Sequence, residues 1–244
     1  MKVSTGKYTK YTIMKKEQAL APYLPKTEML TYRSFSDLLD EFGTVIVKPT
    51  AGLRGIGVIQ ITSIEGHKFE IHSKSTKTEI VGKVQAFNYL KENHLSTKKK
   101  YIVQQRIPLA LIKECLFDIR VMIQRKRNSS QWKVTGILVK VAAKGFVATN
   151  YAKGVMTLAE AIEQSTLTNK DTDKVLSELK EVALNTALAL QDPYPTRRRI
   201  GLDIGITNDG QLFVIEANLT PTISMFNLLK DKSMLEEIRK YRRG

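Results

Sequence analysis

Apolar positions along this chain fall into short β-type runs more often than into helical repeats. Residues 44–49, Thr-Val-Ile-Val-Lys-Pro, form a β-branched run that proline stops. A glycine-containing loop over 51–57 leads directly into a second run at 58–62, and 68–73 reads as a third. That order predicts strand, flexible flap, strand. Further strands are expected at 101–107, at 117–127, at 132–143 after the Asn128-Ser129-Ser130 turn, and at 145–151. Runs at 200–207 and 212–218 are separated by Asn208-Asp209-Gly210, a strong hairpin signal. Helices are expected at 11–21, before a turn flanked by Pro22 and Pro25, and at 36–41. Another covers 83–94, with Val84, Phe87 and Leu90 on one face. Thr157 with Glu160 three residues later is a capping-box pattern that starts a helix. Val175, Leu179, Val182, Thr186 and Leu190 recur at helical spacing within 171–190, and a last amphipathic helix spans 224–241. Strands outnumber helices and are mostly sequential neighbours, so the pattern predicts an α+β architecture with mainly antiparallel sheets.

Composition permits this and adds one constraint. At 244 residues, with 42% hydrophobic, the chain can bury a sizeable core as one large domain or two subdomains sharing a cleft. Lys and Arg number 39 against 24 Asp and Glu, a net charge of +15, which attracts polyanions or acidic substrates. Solubility accounts for the same excess equally well. Three basic runs, Lys98-Lys99-Lys100, Arg125-Lys126-Arg127 and Arg197-Arg198-Arg199, each adjoin a turn and read as solvated loops rather than a nucleic-acid module. Cys115 is the only cysteine, which excludes an intrachain disulfide and a Cys-rich zinc site. No apolar run reaches the ~20 residues that cross a bilayer. The opening MKVSTGKYTKY lacks the apolar segment of a secretory signal, so cytoplasmic residence is the default expectation. His67, His72 and His94 lie outside every motif and are assigned no role.

The C-terminal hairpin carries the most chemistry. Side chains alternate faces along a strand, so Leu202, Ile204 and Ile206 share one face and leave Asp203 on the other. On the second strand the same rule puts Phe213, Ile215 and Ala217 on one face and Glu216 with Asn218 on the other. Three oxygen donors on one surface suit Mg²⁺ or Mn²⁺, which share their remaining positions with phosphate and water. The plain alternative is the wet face of a hairpin. Upstream, Lys48 ends a rigid apolar strand, where an ammonium can neutralise phosphate. The loop beyond it has Gly52, Gly55 and Gly57, which let backbone N–H groups approach an anion, and Arg54 adds a second cation. It is neither a Walker A loop nor a Rossmann fingerprint, and a simple glycine turn is the competing reading.

Together these residues resemble the ATP-grasp superfamily, and more narrowly its YheC/YheD-like, endospore coat-associated group. The likeness spans roughly residues 5–240. It rests on Val45-Ile46-Val47-Lys48-Pro49 with its flap, Tyr101-Ile102-Val103-Gln104-Gln105-Arg106-Ile107 and Phe117-Asp118-Ile119-Arg120-Val121. Thr149-Asn150-Tyr151-Ala152-Lys153-Gly154 and the Asp203, Glu216, Asn218 hairpin complete it. The resemblance implies one ATP-grasp domain over 1–244: a helical segment to about 40, a small lid over 41–104 with the flap, and an ATP- and Mg²⁺-binding part over 105–244. Lys7 and Lys48 would contact phosphates, and the flap with Gly52, Arg54, Gly55 and Gly57 would close over them. Gln104, Gln105, Arg106 and Ile107 would read adenine, and Asp118 would hold the ribose. Arg120, Lys140, Asn150 and Lys153 would meet the transferred phosphoryl or acyl-phosphate group, and Asp203, Glu216 and Asn218 would bind the metal.

Two departures stand out. The adenine hinge has Gln104-Gln105 where many superfamily members have Glu, and Lys7 comes too early to leave room for a pre-grasp domain. A protein partner, or a large acceptor docking on the open face, would then supply that surface. The implied activity is ATP-dependent carboxylate–amine ligation through an acyl phosphate, on an acidic small molecule, peptide or polymer. An inert nucleotide-binding spore-coat protein and a basic nucleic-acid binder are the alternative functions, and kinase chemistry is open to the same nucleotide site.

Overall fold

The computed structural model describes residues 3–52, 56–145, 152–167 and 170–243. Val45 and Val47 of β2 (Thr44–Pro49) are fully buried. They pack with Ile59 and Ile61 of β3 (Ile59–Ile64), Phe69 and Ile71 of β4 (Lys68–Ser73), and Val103 of β6 (Tyr101–Gln105). With β1 (Thr27–Met29) and β5 (Thr76–Val81) these strands form an antiparallel sheet in the order β1-β6-β2-β3-β4-β5. Helices α2 (Tyr32–Phe42) and α3 (Lys83–Asn93) cover its apolar face through Phe35, Leu38, Leu39, Ala86 and Leu90. Alternation sends the intervening residues Lys48, Ile102 and Gln104 to the other face, toward the second half of the molecule.

That half is built on a second antiparallel sheet. Its order is β10 (Ala152–Met156), β9 (Lys133–Ala142), β8 (Cys115–Gln124), β11 (Arg199–Ile206), β12 (Leu212–Asn218), with the two-residue β7 (Leu111–Ile112) paired to β8. One face carries Ile119, Val121, Val139, Leu202 and Ile204 into the main core. The long helix α5 (Thr172–Gln191) and α4 (Leu158–Gln164) cover it. So does α1 (Lys7–Met14), through Tyr11 and Met14. The N-terminal helical segment is thus divided, α1 joining the second sheet's core and α2 the first. The opposite face of the second sheet is apolar at Met122 and Leu138, under Phe226, Leu235 and Ile238 of the C-terminal segment. Elsewhere on that face lie Asp118, Arg120, Lys140 and Asp203.

The α+β, two-sheet antiparallel architecture agrees with the sequence pattern, whereas several elements differ. The first helix runs 7–14 rather than 11–21, followed by a 3₁₀ turn at Ala21–Tyr23. Its N-cap, Gly6, has no side chain to cap with, so the sequence carries no start signal. Helix α2 starts four residues ahead of the expected Ser36, because Thr31 and Ser34 form a reciprocal capping box with serine in place of Glu or Gln. It ends at Gly43, whose φ of 66° demands glycine. In α3 the buried residues are Ala86 and Leu90, and Val84 is half exposed, so the inward face is rotated from the one expected.

Strand β5 was hidden by its polar composition: it is an edge strand held partly by Lys77–Glu70 and Lys68–Glu79 pairs. Strands β1 and β7 are too short to show periodicity. Strand β6 stops at Gln105, before Pro108, and β8 begins at Cys115, following a turn at Lys113 and Glu114 with positive φ. The strand expected at 145–151 falls almost wholly outside the described residues, and β10 begins at Ala152. The C-terminal helix expected at 224–241 is a 3₁₀ segment, Ser224–Leu228, and then α6 (Ser233–Arg243). Asp231 interrupts it by accepting hydrogen bonds from the Ser233 N–H and hydroxyl at 2.8 and 2.7 Å. Among the described residues, no helix is long and apolar enough to cross a membrane.

Candidate functional site

Three lysines from the N-terminal half converge on one short stretch of β12. Lys48 Nζ donates to the Ile215 carbonyl at 3.3 Å and to Gln104 Oε1 at 2.8 Å. Lys7 Nζ lies 3.3 Å from Glu216 Oε1 and donates to the Gly52 carbonyl at 3.1 Å. Lys10, one helical turn beyond Lys7, donates to the Ala217 carbonyl. All three ammonium groups and Glu216 line a single cavity of about 20 Å³, room for roughly one water. Lys48 is held from behind. Gln104 Nε2 donates to Thr27 Oγ1 at 2.7 Å, and that hydroxyl donates to the Pro25 carbonyl at 2.8 Å. Burial lowers Lys48 and Lys10 each to about 8, against the pull of Glu216 and with help from repulsion by Lys7.

A β-bulge sets this geometry. Asp203 pairs with Glu216, but the next residue, Ile204, pairs with Val214, so Ile215 is the extra residue. The core face of β12 is therefore Leu212, Val214 and Ala217, not Phe213, Ile215 and Ala217 as strict alternation predicts. Glu216 and Asn218 still share the face that carries Asp203.

The second group of charges lies on the neighbouring strands. Arg120 grips Asp203 with two bonds, Nε to Oδ1 at 2.9 Å and Nη2 to Oδ2 at 3.1 Å. Lys140 Nζ sits 2.8 Å from Asp203 Oδ1 and 2.9 Å from Asp118 Oδ1. Asn218 Nδ2 donates to Asp203 Oδ2 at 3.2 Å. Burial alone would push Asp203 up, but Lys140 and Arg120 hold its carboxyl below the usual range. Burial likewise works against the Lys140 charge, and Asp203 with Asp118 outweighs it and raises the ammonium's pKa. Two acids and two bases form a buried network that is neutral as a whole.

Of the residues singled out in the sequence, Lys7, Lys48, Gln104 and Glu216 meet at the cavity, and Asp118, Arg120, Lys140, Asp203 and Asn218 meet at the network. Gln105 turns elsewhere, its Oε1 accepting from the Lys26 N–H at 3.2 Å. Arg106 is tied to Gln60 Oε1 at 3.0 Å and to the Ile107 carbonyl, with Ile107 itself buried. Gly52 and Gly57 have φ of 153° and 79° at the two ends of the flap. Lys153 is exposed at a bulge in edge strand β10. Arg54, Gly55 and Asn150 lie outside the described residues. Sequence reasoning missed Lys10, although its spacing of three from Lys7 places both on one helix face.

Asp203, Glu216 and Asn218 carry the oxygens a hard divalent cation prefers, but both Asp203 oxygens are engaged by Arg120, Lys140 and Asn218, so a cation would have to displace some of these contacts. Asp203 and Glu216 are opposite one another in register, and Asn218, donating through its amide nitrogen, keeps its oxygen for a metal. Among the described residues, no cluster of three His, Cys, Asp or Glu side chains could hold a metal by itself, so phosphate or water would complete the shell.

A family model described as YheC/D-like ATP-grasp matches residues 2–242. Endospore coat-associated protein YheD of Bacillus subtilis is 27% identical over 91% of this chain and 49% of its own length, so the chain spans about half of that relative. Among solved structures, N5-carboxyaminoimidazole synthetase from Staphylococcus aureus, complexed with ADP, superposes with a TM-score of 0.56 at 12% identity, covering 91% of this chain and 46% of that one. L-amino acid ligase from Bacillus licheniformis gives 0.52 at 12% identity, over 90% and 41%.

Proposed function

This chain belongs to the YheC/D-like ATP-grasp family, and from that membership we propose that it is an ATP-dependent ligase joining a carboxylate to an amine through an acyl phosphate. The observation that carries the reading is the convergence of Lys7, Lys10 and Lys48 with Glu216 in one cavity between the two sheets. Three clustered ammonium groups match a polyphosphate in charge, and seating one would require the cavity, with room for roughly one water, to open. Each lysine now rests on a carbonyl or carboxylate, partners that a phosphate oxygen can replace.

Within this scheme Lys7, Lys10 and Lys48 offset triphosphate charge while the flap covers it. Asp118 takes the ribose hydroxyls and the hinge backbone after Gln105 takes adenine, Gln104 being committed to Lys48 and Thr27. Asp203, Glu216 and Asn218 would hold Mg²⁺, or Mn²⁺, which would supply positive charge to offset that of the triphosphate. Arg120 and Lys140 face the phosphoryl group as it passes to the substrate carboxylate, stabilising charge by position rather than by covalent chemistry. An amine then displaces phosphate and leaves an amide. The charge of the chain favours an acidic acceptor. Mass analysis of products from an ADP-release screen, with ATP and Mg²⁺ against amino acids, acidic peptides and hydroxyl compounds, tests the scheme. An amide product with one ADP per bond is expected; a phosphorylated alcohol would make the protein a kinase instead, and no ADP release with any acceptor would make it a binder.

The lysines add a pH signature. Below pH about 8 both Lys10 and Lys48 are ammonium ions, and nucleotide binding moves no proton at either. Above it each neutral amine must gain a proton to face phosphate. ATP affinity is therefore expected to fall as pH rises from about 8, by up to roughly tenfold per pH unit for each lysine. Calorimetry in buffers of different ionisation enthalpy would register the proton uptake at pH 9 and none at pH 6.5.

A further inference from the structure

A second concave surface lies beyond the nucleotide site. It is a groove of about 290 Å³ where the start of β11, the segment after β12 and the end of α6 meet. Its lining includes Arg197, Arg198, Arg199 and Arg242 with the hydroxyls of Thr196 and Thr220, and no carboxylate. Four arginines thus line one groove whose lining residues carry no opposite charge. Arg198 Nη1 is buried with no hydrogen-bond partner among the described residues, a condition that costs stability unless an acceptor is supplied. Burial, followed by repulsion from Arg242 and Arg198, lowers the Arg199 pKa below its ordinary value.

The groove's position ties it to the chemistry. Arg199 and Asp203 lie four residues apart on β11, so their side chains point from the same face of the sheet, about 13 Å apart by strand rise. Thr220 comes two residues after Asn218. Between the two sites Gly201 lets Pro221 lie flat on the strand, since a Cβ at Gly201 would stand 2.6 Å from Pro221 Cβ. About four extended peptide residues span that gap.

We propose that the arginine groove binds the carboxylate-rich flank of a peptide acceptor whose reacting end lies at Asp203 and Glu216. This rests on the ligase reading and names its acceptor class. Arginine forks match carboxylates two bonds at a time. A nucleic acid would call for a stacking platform. The aromatic residue in the lining, Tyr241, instead has Lys126 and Lys133 each 5.6 Å from its ring centroid.

The test is fluorescence anisotropy of a labelled deca-glutamate peptide on the full chain at physiological salt, without nucleotide. R198Q/R242Q is compared with a charge-matched control, K99Q/K100Q, in an exposed loop. The groove variant is expected to weaken binding by at least about tenfold, and the control by no more than about twofold. ATP affinity should be unchanged in both, which shows that the fold is intact; if the double variant does not fold, R242Q alone at the exposed helix end gives the same comparison. Equal losses in the two variants, or no binding by the parent chain, would overturn the proposal. So would a ten-nucleotide oligothymidylate whose binding depends on the groove arginines while that of deca-glutamate does not. Because the assay contains no ATP, failure of the nucleotide reading would leave this result standing, and the reverse also holds.

Discussion

Replacing Glu216 by alanine is expected to reduce Mg²⁺-dependent ADP release by roughly 10³-fold while leaving the fold in place. The carboxylate is partly exposed and its pair with Lys7 spans 3.3 Å, so its loss costs little stability, on the order of 1 kcal/mol or less. Chemistry is where the loss falls. Glu216 would hold the metal, and it is also the strongest influence keeping Lys10 and Lys48 protonated against burial. In EDTA, nucleotide binding should persist near neutral pH, since removing the carboxylate frees Lys7 for phosphate. Turnover assays with Mg²⁺, paired with calorimetry in EDTA, separate the two effects. Turnover within tenfold of the parent chain would remove Glu216 from the machinery.

Replacing Lys140 by methionine is the change with the largest expected effect on stability. Lys140 is 2% exposed and joins Asp118 to Asp203. Methionine keeps the volume and deletes the charge, leaving two buried carboxylates facing one guanidinium. Breaking a buried pair in this way costs about 3–5 kcal/mol. In a domain of this size that lowers the melting temperature by roughly 6–20 °C. Adding Asp118→Leu restores the charge balance, and the double variant should recover much of the loss even though both variants are inactive. A Lys140→Met protein as stable as the parent would mean that Lys140 does not hold the network together.

Most of the site was legible in the sequence because its residues interrupt apolar strands. Lys48 after Val45-Ile46-Val47, Asp118 and Arg120 between Phe117, Ile119 and Val121, and Asp203 between Leu202 and Ile204 all break a hydrophobic pattern. Alternation then assigns them to one face. What the sequence hid follows from weaker signals. Lys10 resembles any solvent-facing lysine of an amphipathic helix until a sheet is packed against it. Gly6 starts a helix without a capping side chain. In β5 the partners are Lys and Glu, whose pairing across strands is invisible without register. The phase of β12 was hidden for a different reason, since a bulge has no composition of its own.

That bulge gives β12 two parities. Upstream of Ile215 even-numbered residues face the core, and downstream odd-numbered residues do. Deleting Ile215 would leave a regular strand with Val214 and Ala217 still inward and Glu216 and Asn218 still beside Asp203, whereas flattening the bulge with Ile215 retained would swing Glu216 and Asn218 into the hydrocarbon interior. Point substitutions at Leu212 or Val214 have no such reach. The facing of Glu216 and Asn218 thus depends on one residue staying looped out of the pairing, a matter of register rather than of any one side chain.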